Sequence, residues 1–520
     1  MSDRSATPLQ DVRDPGSPAL PLPARDSTVD PLVPRPASTS GSSSNDQLVD
    51  LERNLAGAIV DGKPLDQLER STLKALDDEE NADALDGTAP SRYDRIDGGL
   101  YAWMAVAASF LVTFVVFGVQ LSFGVFQRYY LAVDYPNASP SQVSLVGTIG
   151  PAVMFFMGLV VGRVAERTSY QLVVGTGAGF VGAGLILASF ATQLWQLALT
   201  QGVLFGLGTS MAFFPGISVP AQWWVKRRAL AVGISISGSG VGGIAYVQLL
   251  SALLPKIGSA WTLRVCGSLS LFLLGLAAAM IRTRVPSSRA PVDPNTGRPL
   301  PWYHGLVDFG FLRNPKFLAQ LWCVALFPFA FNNPYFYLPS YVSSVLGESP
   351  SWAATLLTVS NVASIAGRIL SGYFADAMGN VNMYLLTILI SAASFFAFWL
   401  PAGDSAVLLY LFAIVYGFFS GGFFSLNTTV TAQLYGVAKL PSILGMLYSS
   451  MVIGNLAGTP IAGALVTAAR NAFKETGSWP TSAHEYFGAI LFSGLVILVG
   501  ATSLLYLRYG LLDRRFTARI

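Results

Sequence analysis

Charge is what this chain of 520 residues has least of: Lys, Arg, Asp and Glu together make up 12%, against roughly 25% in soluble domains. A water-soluble fold of this length needs a larger polar surface, so the bilayer is the expected solvent. Cysteine and histidine are nearly absent too, with Cys266, Cys323, His304 and His484 the full set. Both cysteines sit in apolar runs and both histidines in polar connecting segments, which excludes a disulfide framework and a clustered thiolate or imidazole metal site. The acids in the apolar region are few and scattered, so no nucleophile–base pair, paired carboxylates or metal cluster suggests enzyme chemistry. No metal, cofactor or nucleic-acid partner is expected. Nothing near Met1 resembles a cleavable signal, because the start is polar and lacks an apolar core.

What the chain has instead is apolar sequence: 52% hydrophobic residues and a mean hydropathy of +0.52. A bilayer-crossing helix needs about 20 such residues. Runs of that kind fall near 101–126, 141–162, 171–191, 195–220, 229–253 and 261–281, then 317–345, 352–375, 381–400, 405–434, 440–468 and 485–507. The expected fold is therefore all-α and membrane-integral, with twelve transmembrane helices in two six-helix halves. The halves are residues 97–282 and 317–508, joined by a proline-rich basic linker, 283–316, and followed by a short C-terminus, 509–520. Residues 1–96 have a net charge of −8, the remainder +11. That acidic, Pro/Ser/Asp-rich segment cannot bury enough apolar surface to order itself and is predicted to be a disordered tail. Within it Leu48, Leu51, Leu55 and Ile59 carry helical spacing, read either as a transient helix or as a docking segment for a cytoplasmic partner.

Lys and Arg gather after the even-numbered spans: Arg163 and Arg167, Lys226 to Arg228, the linker arginines, Lys439 and the C-terminal Arg508, Arg514, Arg515 and Arg519. The positive-inside rule puts both termini in the cytosol, with the plasma membrane preferred over an internal one. Asn137-Ala138-Ser139 then forms a glycosylation acceptor sequence in the first external loop.

The stretch Gly238-Ser239-Gly240-Val241-Gly242-Gly243 satisfies G-x-G-x-x-G, a dinucleotide-binding pattern. That motif requires a strand before it and a helix opening after it. Here it lies well inside an apolar run with Gly233, Ser235 and Ser237, so it reads as a small-residue packing face between membrane helices.

Two glycine–acid pairs stand at corresponding places in the halves. Gly162 precedes Glu166 and Arg167 after the second span, and Gly372 precedes Asp376 after the eighth. With twelve spans and a central linker, this pattern resembles the major facilitator superfamily, whose halves are parallel repeats about an axis along the membrane normal. The first loop resembles that family's G-x-x-x-(D/E)-R signature, although Tyr170 and Gln171 stand where further basic residues are usual. The resemblance implies that Gly162, Glu166, Arg167 and Asp376, with Arg227 and Arg228 in the fourth-to-fifth loop, serve gating between the halves.

Two further segments resemble the monocarboxylate-transporter-like branch. Asp97-Gly98-Gly99 with Trp103 matches its entry to the first span. Trp224-Val225-Lys226-Arg227-Arg228-Ala229-Leu230-Ala231, followed by Gly233 and Ser237-Gly238-Ser239, matches its second signature, and Trp261 with Arg264 its W-R element. The acid carriers of this branch place a lysine where Leu121 stands, and an aspartate where Ser364 stands, four residues before Arg368. With both replaced, their proton-coupling mechanism does not transfer. Arg368 is read as an anion-recognising group, against the alternative that it pairs with Asp376 or snorkels to the cytosol. Arg264 is read equally as a site residue or an outer anchor.

The resemblance also implies a central cavity lined by the first, fourth, seventh and tenth spans. Candidate solute contacts there are Gln120, Asn332, Asn333 and Tyr335 around Pro334, Tyr416 and Asn427, together with Arg368. The expected function is alternating-access transport of a small organic solute, a monocarboxylate or other organic anion. The alternatives are a transporter-like nutrient sensor, and a carrier of a non-carboxylate metabolite lacking the acid-carrier coupling.

Overall fold

The computed structural model describes residues 97–138, 140–284, 309–476 and 482–512, and these are helical without strands. The acidic segment 1–96, with Leu48 to Ile59, lies outside the described residues, as do Ser139 and most of the linker. In chain order the first half contains α1 (Leu100–Leu121), α2 (Phe123–Tyr129), α3 (Pro140–Arg167), α4 (Tyr170–Ala188), α5 (Leu194–Leu197), α6 (Phe205–Trp223) and α7 (Arg228–Met280). After the linker come α8 (Pro315–Leu326), α9 (Pro328–Phe331), α10 (Asn333–Tyr341), α11 (Pro350–Met378), α12 (Asn380–Ser394), α13 (Ala406–Tyr435), α14 (Leu440–Ser449), α15 (Met451–Thr476) and α16 (Phe487–Leu505). With no water in the hydrocarbon, backbone groups must pair within the chain, and helices do so segment by segment. Serines and threonines inside them mostly donate back to a carbonyl three or four residues earlier, as Thr176 does to Leu172 and Ser391 to Thr387, which satisfies their hydroxyls locally.

Ten helical stretches among the described residues are long and apolar enough to cross a bilayer. Two places explain how that number relates to the runs in the sequence. α7 has 53 residues, about 80 Å of helix, more than twice the hydrocarbon thickness. It breaks at Gly258, whose φ of 74° and ψ of 176° lie in a region that only glycine enters without strain. The two sides of the break pack on different partners. Gly238 and Gly242 abut Phe110 and Phe114 of α1, whereas Gly267 abuts Gly182 and Ile186 of α4. The second place is 315–346, where Pro328 and Pro334 open new helices and the run divides into α8, α9, α10 and a π-helical turn, Val342–Leu346. No single piece there is long enough to span. Carbonyls near the breaks are recovered by side chains: Tyr416 Oη donates to Phe331 O at 3.0 Å and Asn333 Nδ2 to Phe329 O at 3.1 Å.

Glycines set the closeness of helix packing. In α11 and α13, Ser360 faces Gly417, Ser364 faces Gly421, and Ser371 faces Gly422. A Cβ at Gly421 would lie 2.6 Å from the Ser364 carbonyl. Small residues allow this approach, and dispersion between the backbones replaces the hydrophobic effect as the cohesive force. At the opposite end from the loop glycines, the Arg264 guanidinium lies 4.7 Å from the centroids of both Phe190 and Trp261, and its Nε donates to Ser189 Oγ at 3.0 Å. Arg264 thus joins the end of α4 to α7. Arg508 is fully buried, its Nε donating to Asn382 Oδ1 at the start of α12. In the first half, Gln171 at the start of α4 likewise donates to Ile281 O at 2.6 Å, just beyond α7.

Candidate functional site

The glycine–acid pairs are where the two halves meet. Glu166, near the end of α3, is buried and accepts the backbone N–H of Ser442 at 3.0 Å, in the first turn of α14. Arg163 supports it, with Nη1 3.2 Å from the other carboxylate oxygen. In the other half, Asp376 near the end of α11 accepts from Ala229 N and Leu230 N, both at 2.9 Å, in the first turn of α7. Each acid therefore reaches across and caps a helix of the opposite half, satisfying orphan N–H groups and meeting the positive end of the helix dipole. The glycines four residues earlier make this geometry accessible. A Cβ on Gly162 would collide with the backbone of Pro441 and Ser442, and one on Gly372 with Ala229 and Leu230. Further along the same contact, Gly158 and Gly445 pack backbone to backbone. Arg167 and Arg228 flank these caps half-buried, and Arg227 is exposed.

Asp97 adds a third carboxylate cap close by, accepting Val225 N at 2.7 Å and Lys226 N at 2.8 Å. Trp224 Nε1 donates to Ala102 O at 3.3 Å and its ring meets Trp103 edge-on, centroids 5.1 Å apart. The entry segment and the Trp224–Ala231 segment, 128 residues apart in the chain, are thus one structural unit at the start of α7.

Away from this closed end the seam becomes aromatic. Arg368 sits eight residues before Asp376, about 12 Å along α11. Its main chain lies against Gly233 of α7, while Nη1 reaches Gly240. The side chain runs toward the N-terminus of its own helix, as helical side chains do, and so away from Asp376, whose two oxygens bond to α7. Arg368 is 92% buried, and its Nε and Nη1 have no hydrogen-bond partner. Tyr335 lies within electrostatic reach of the guanidinium. From Tyr335 the rings continue to Phe331 (5.9 Å), Phe424 (5.4 Å), and then Phe117 of the first half (6.4 Å).

The other predicted contacts are distributed unevenly. Gln120 is half-buried with Nε2 3.5 Å from Met154 Sδ, and Asn332 donates to Asn455 Oδ1 at 3.0 Å. Asn333 is buried and donates to Ser493 Oγ at 2.8 Å, committing it to α16. Asn427 is fully buried, accepting from Gln320 Nε2 at 2.9 Å and Tyr384 Oη at 3.3 Å, and Tyr416 is fully buried against Phe331. Gln320, Tyr384, Asn455 and Ser493 escaped the sequence reading, since spacing alone does not tell which face of a polar residue's helix meets another helix. Ser364 lies against Gly421 in a tight crossing of α11 and α13.

Two helical halves, each capping the other at one end and meeting elsewhere through an aromatic seam, fit a two-domain membrane transporter. The chain belongs to the Major Facilitator Superfamily, whose description matches residues 100–404 and 346–517. It is 31% identical over 416 residues to MFS-type transporter 1 of Ophiocordyceps sp. (strain BCC 1869), covering 80% of this chain and 89% of that protein. It is 31% identical to the Agnestins efflux protein AgnL12 of Paecilomyces divaricatus (78% and 87% covered) and 30% identical to the Aspyridones efflux protein apdF of Emericella nidulans (82% and 83%). Among solved structures it resembles the transporter FucP in the outward conformation, with a TM-score of 0.58 at 16% identity over 78% of this chain and 98% of that one. The human organic anion transporter MFSD10 gives a TM-score of 0.58 at 13% identity, covering 80% and 100%. These two likenesses concern the fold. The chain is an integral multi-pass membrane transporter acting on a small-molecule solute, and not an enzyme.

Proposed function

We propose that this transporter exports a small organic solute by alternating access, and that the state described is shut at the Glu166–Asp376 end. The observation that carries the reading is the reciprocal capping itself, Glu166 on α14 and Asp376 on α7. These contacts join opposite halves, so opening that end breaks both at once. The positive-inside distribution favours the cytosol for this end and for both termini; the plasma membrane is our preferred location for an exporter. Counting Gly258 as a reversal and the proline-broken run 315–346 as a crossing gives twelve spans. Two relatives named as efflux proteins favour export. The junction of Asp97 with Val225 and Lys226 supports placing the chain near the monocarboxylate-transporter-like branch, because it gives both segments of that resemblance one structural task. Arg368, Tyr335, Gln120 and Asn332 are assigned to the solute pathway, and Asn333, Tyr416 and Asn427 to holding the broken seventh segment and its neighbours.

Purified protein in liposomes provides the test. Carrier-mediated flux of an organic anion such as benzoate or 2-naphthoate should saturate and should fall in Gly162→Val, which forces the capped end apart. A panel of organic acids and neutral metabolites that all bind without flux would sink the carrier reading.

A further inference from the structure

The seam aromatics differ in exposure in a way that packing alone does not require. Phe213, Phe327, Phe423 and Tyr448 are buried to within about 1% of completely. Phe117, Phe331, Tyr335 and Phe424 touch one another in sequence, yet each retains part of its surface. The buried set backs the half-open set: Phe213 meets Phe117 edge-on at 5.4 Å, Tyr448 stacks on Phe424 at 6.3 Å, and Phe327 meets Phe331 at 5.4 Å. Phe327 and Phe423 are themselves stacked at 3.8 Å with 3° between planes. A fully buried second layer therefore backs a first layer of rings that keep part of their surface uncovered, and Phe117 and Phe424 of that layer meet across the two halves. Arg368, with unpartnered Nε and Nη1, stands on α11, which packs against the α10 helix that carries Tyr335.

We infer that Phe117, Phe331, Tyr335 and Phe424 form a ring-binding platform, and that the solute is a flat, conjugated organic anion whose rings lie on it while its acidic group meets Arg368. The inference rests on the carrier reading and narrows its substrate. A saturated acid of equal charge satisfies Arg368 alone, and a neutral arene satisfies the platform alone. Only a molecule with both features uses the whole site. Phe117 comes from the first half and the other three from the second, so the bound rings also bridge the two halves.

Equilibrium binding to full-length protein in nanodiscs tests this with three probes: 2-naphthoate, cyclohexanecarboxylate and 2-naphthalenemethanol. The naphthoate should bind about tenfold or more tightly than either of the others, since ring stacking and charge pairing each contribute. Phe424→Leu keeps apolarity and most of the bulk but removes the ring, and an unchanged thermal midpoint checks that it folds. It should weaken naphthoate about fivefold and leave cyclohexanecarboxylate unchanged. Arg368→Gln should weaken both acids. Equal affinity for the two acids, no naphthoate binding, or an equal loss of both acids in Phe424→Leu would overturn the platform. Flux separates this from the carrier reading: transport of a non-aromatic solute without naphthoate binding removes the platform alone, whereas naphthoate binding without flux of any solute retains it and removes the carrier.

Discussion

The carboxylate of Glu166 accepts the backbone N–H of Ser442 at 3.0 Å, across 276 residues of chain. A buried carboxylate is costly unless its oxygens are bonded. Here the bonds come from Ser442 and from Arg163, which sits on Glu166's own helix. Withdrawing α14 would leave the acid with its local arginine alone, so the contact favours the closed arrangement.

Replacing Glu166 with Gln should weaken that closed arrangement. A charge-assisted hydrogen bond is worth about 1.5–3 kcal/mol, so the closed population should fall by about tenfold or more relative to the open one. Asp376→Asn should act in the same direction through Ala229 and Leu230. Spin labels at exposed Thr168 and Ala438 would report the separation. Unchanged distance distributions in the double variant would mean that the caps do not set the equilibrium.

Much of this arrangement is legible in the chain by itself. Gly162 with Glu166, and Gly372 with Asp376, carry their meaning in local spacing, because a helix puts residues four apart on one face. The helix that each pair caps is not local, and no pattern links Glu166 to Ser442. The glycine run 238–243 reads as a packing face, and α1 does pack there, at Phe110 and Phe114. The polar residues are harder. Asn333 and Asn427 look like Asn332 in sequence, yet one donates to Ser493 and another accepts from Gln320. Which face an amide presents depends on helix rotation, which neighbours decide. Gly258 marks a break in α7 that apolar runs could locate only roughly.

Glycine substitutions should divide sharply by environment. Gly445→Ala places a Cβ 2.6 Å from the Gly158 carbonyl carbon, and backbone cannot move aside as a side-chain tip can. Overpacking of this kind costs about 1–3 kcal/mol, here charged to the closed state. Gly275, with nothing within 4 Å of an added methyl group, should accept alanine with unchanged flux. Comparing the two in one transport assay checks the claim, and equal effects would contradict it.

Arg264 should prove to be an anchor. Its guanidinium rests between Phe190 and Trp261, and such contacts contribute about 0.5–1 kcal/mol each where exposed. Arg264→Ala should lower the thermal midpoint while leaving the half-saturating concentration of solute unaltered. A large rise in that concentration with an unchanged midpoint would place Arg264 in the solute pathway instead.

Proton coupling needs a group that titrates in the solute pathway. Glu166 and Asp376 are engaged at the capped end, and Ser364, four residues before Arg368, carries no titratable group. Flux of 2-naphthoate should therefore follow its own gradient, with no stimulation by a pH gradient once the membrane potential is clamped. Ser364→Asp would install an acid four residues before Arg368, the favourable order for a helical ion pair. The Arg368 side chain already runs in that direction, so the new carboxylate should occupy it and weaken naphthoate binding about tenfold at neutral pH. Acidification would protonate the carboxylate, free the guanidinium and restore affinity, giving naphthoate binding in the variant a pH dependence that comes from residue 364. Binding titrations between pH 5 and 8 on both proteins decide the matter. A pH-driven accumulation by the unaltered protein would mean that another group carries the proton.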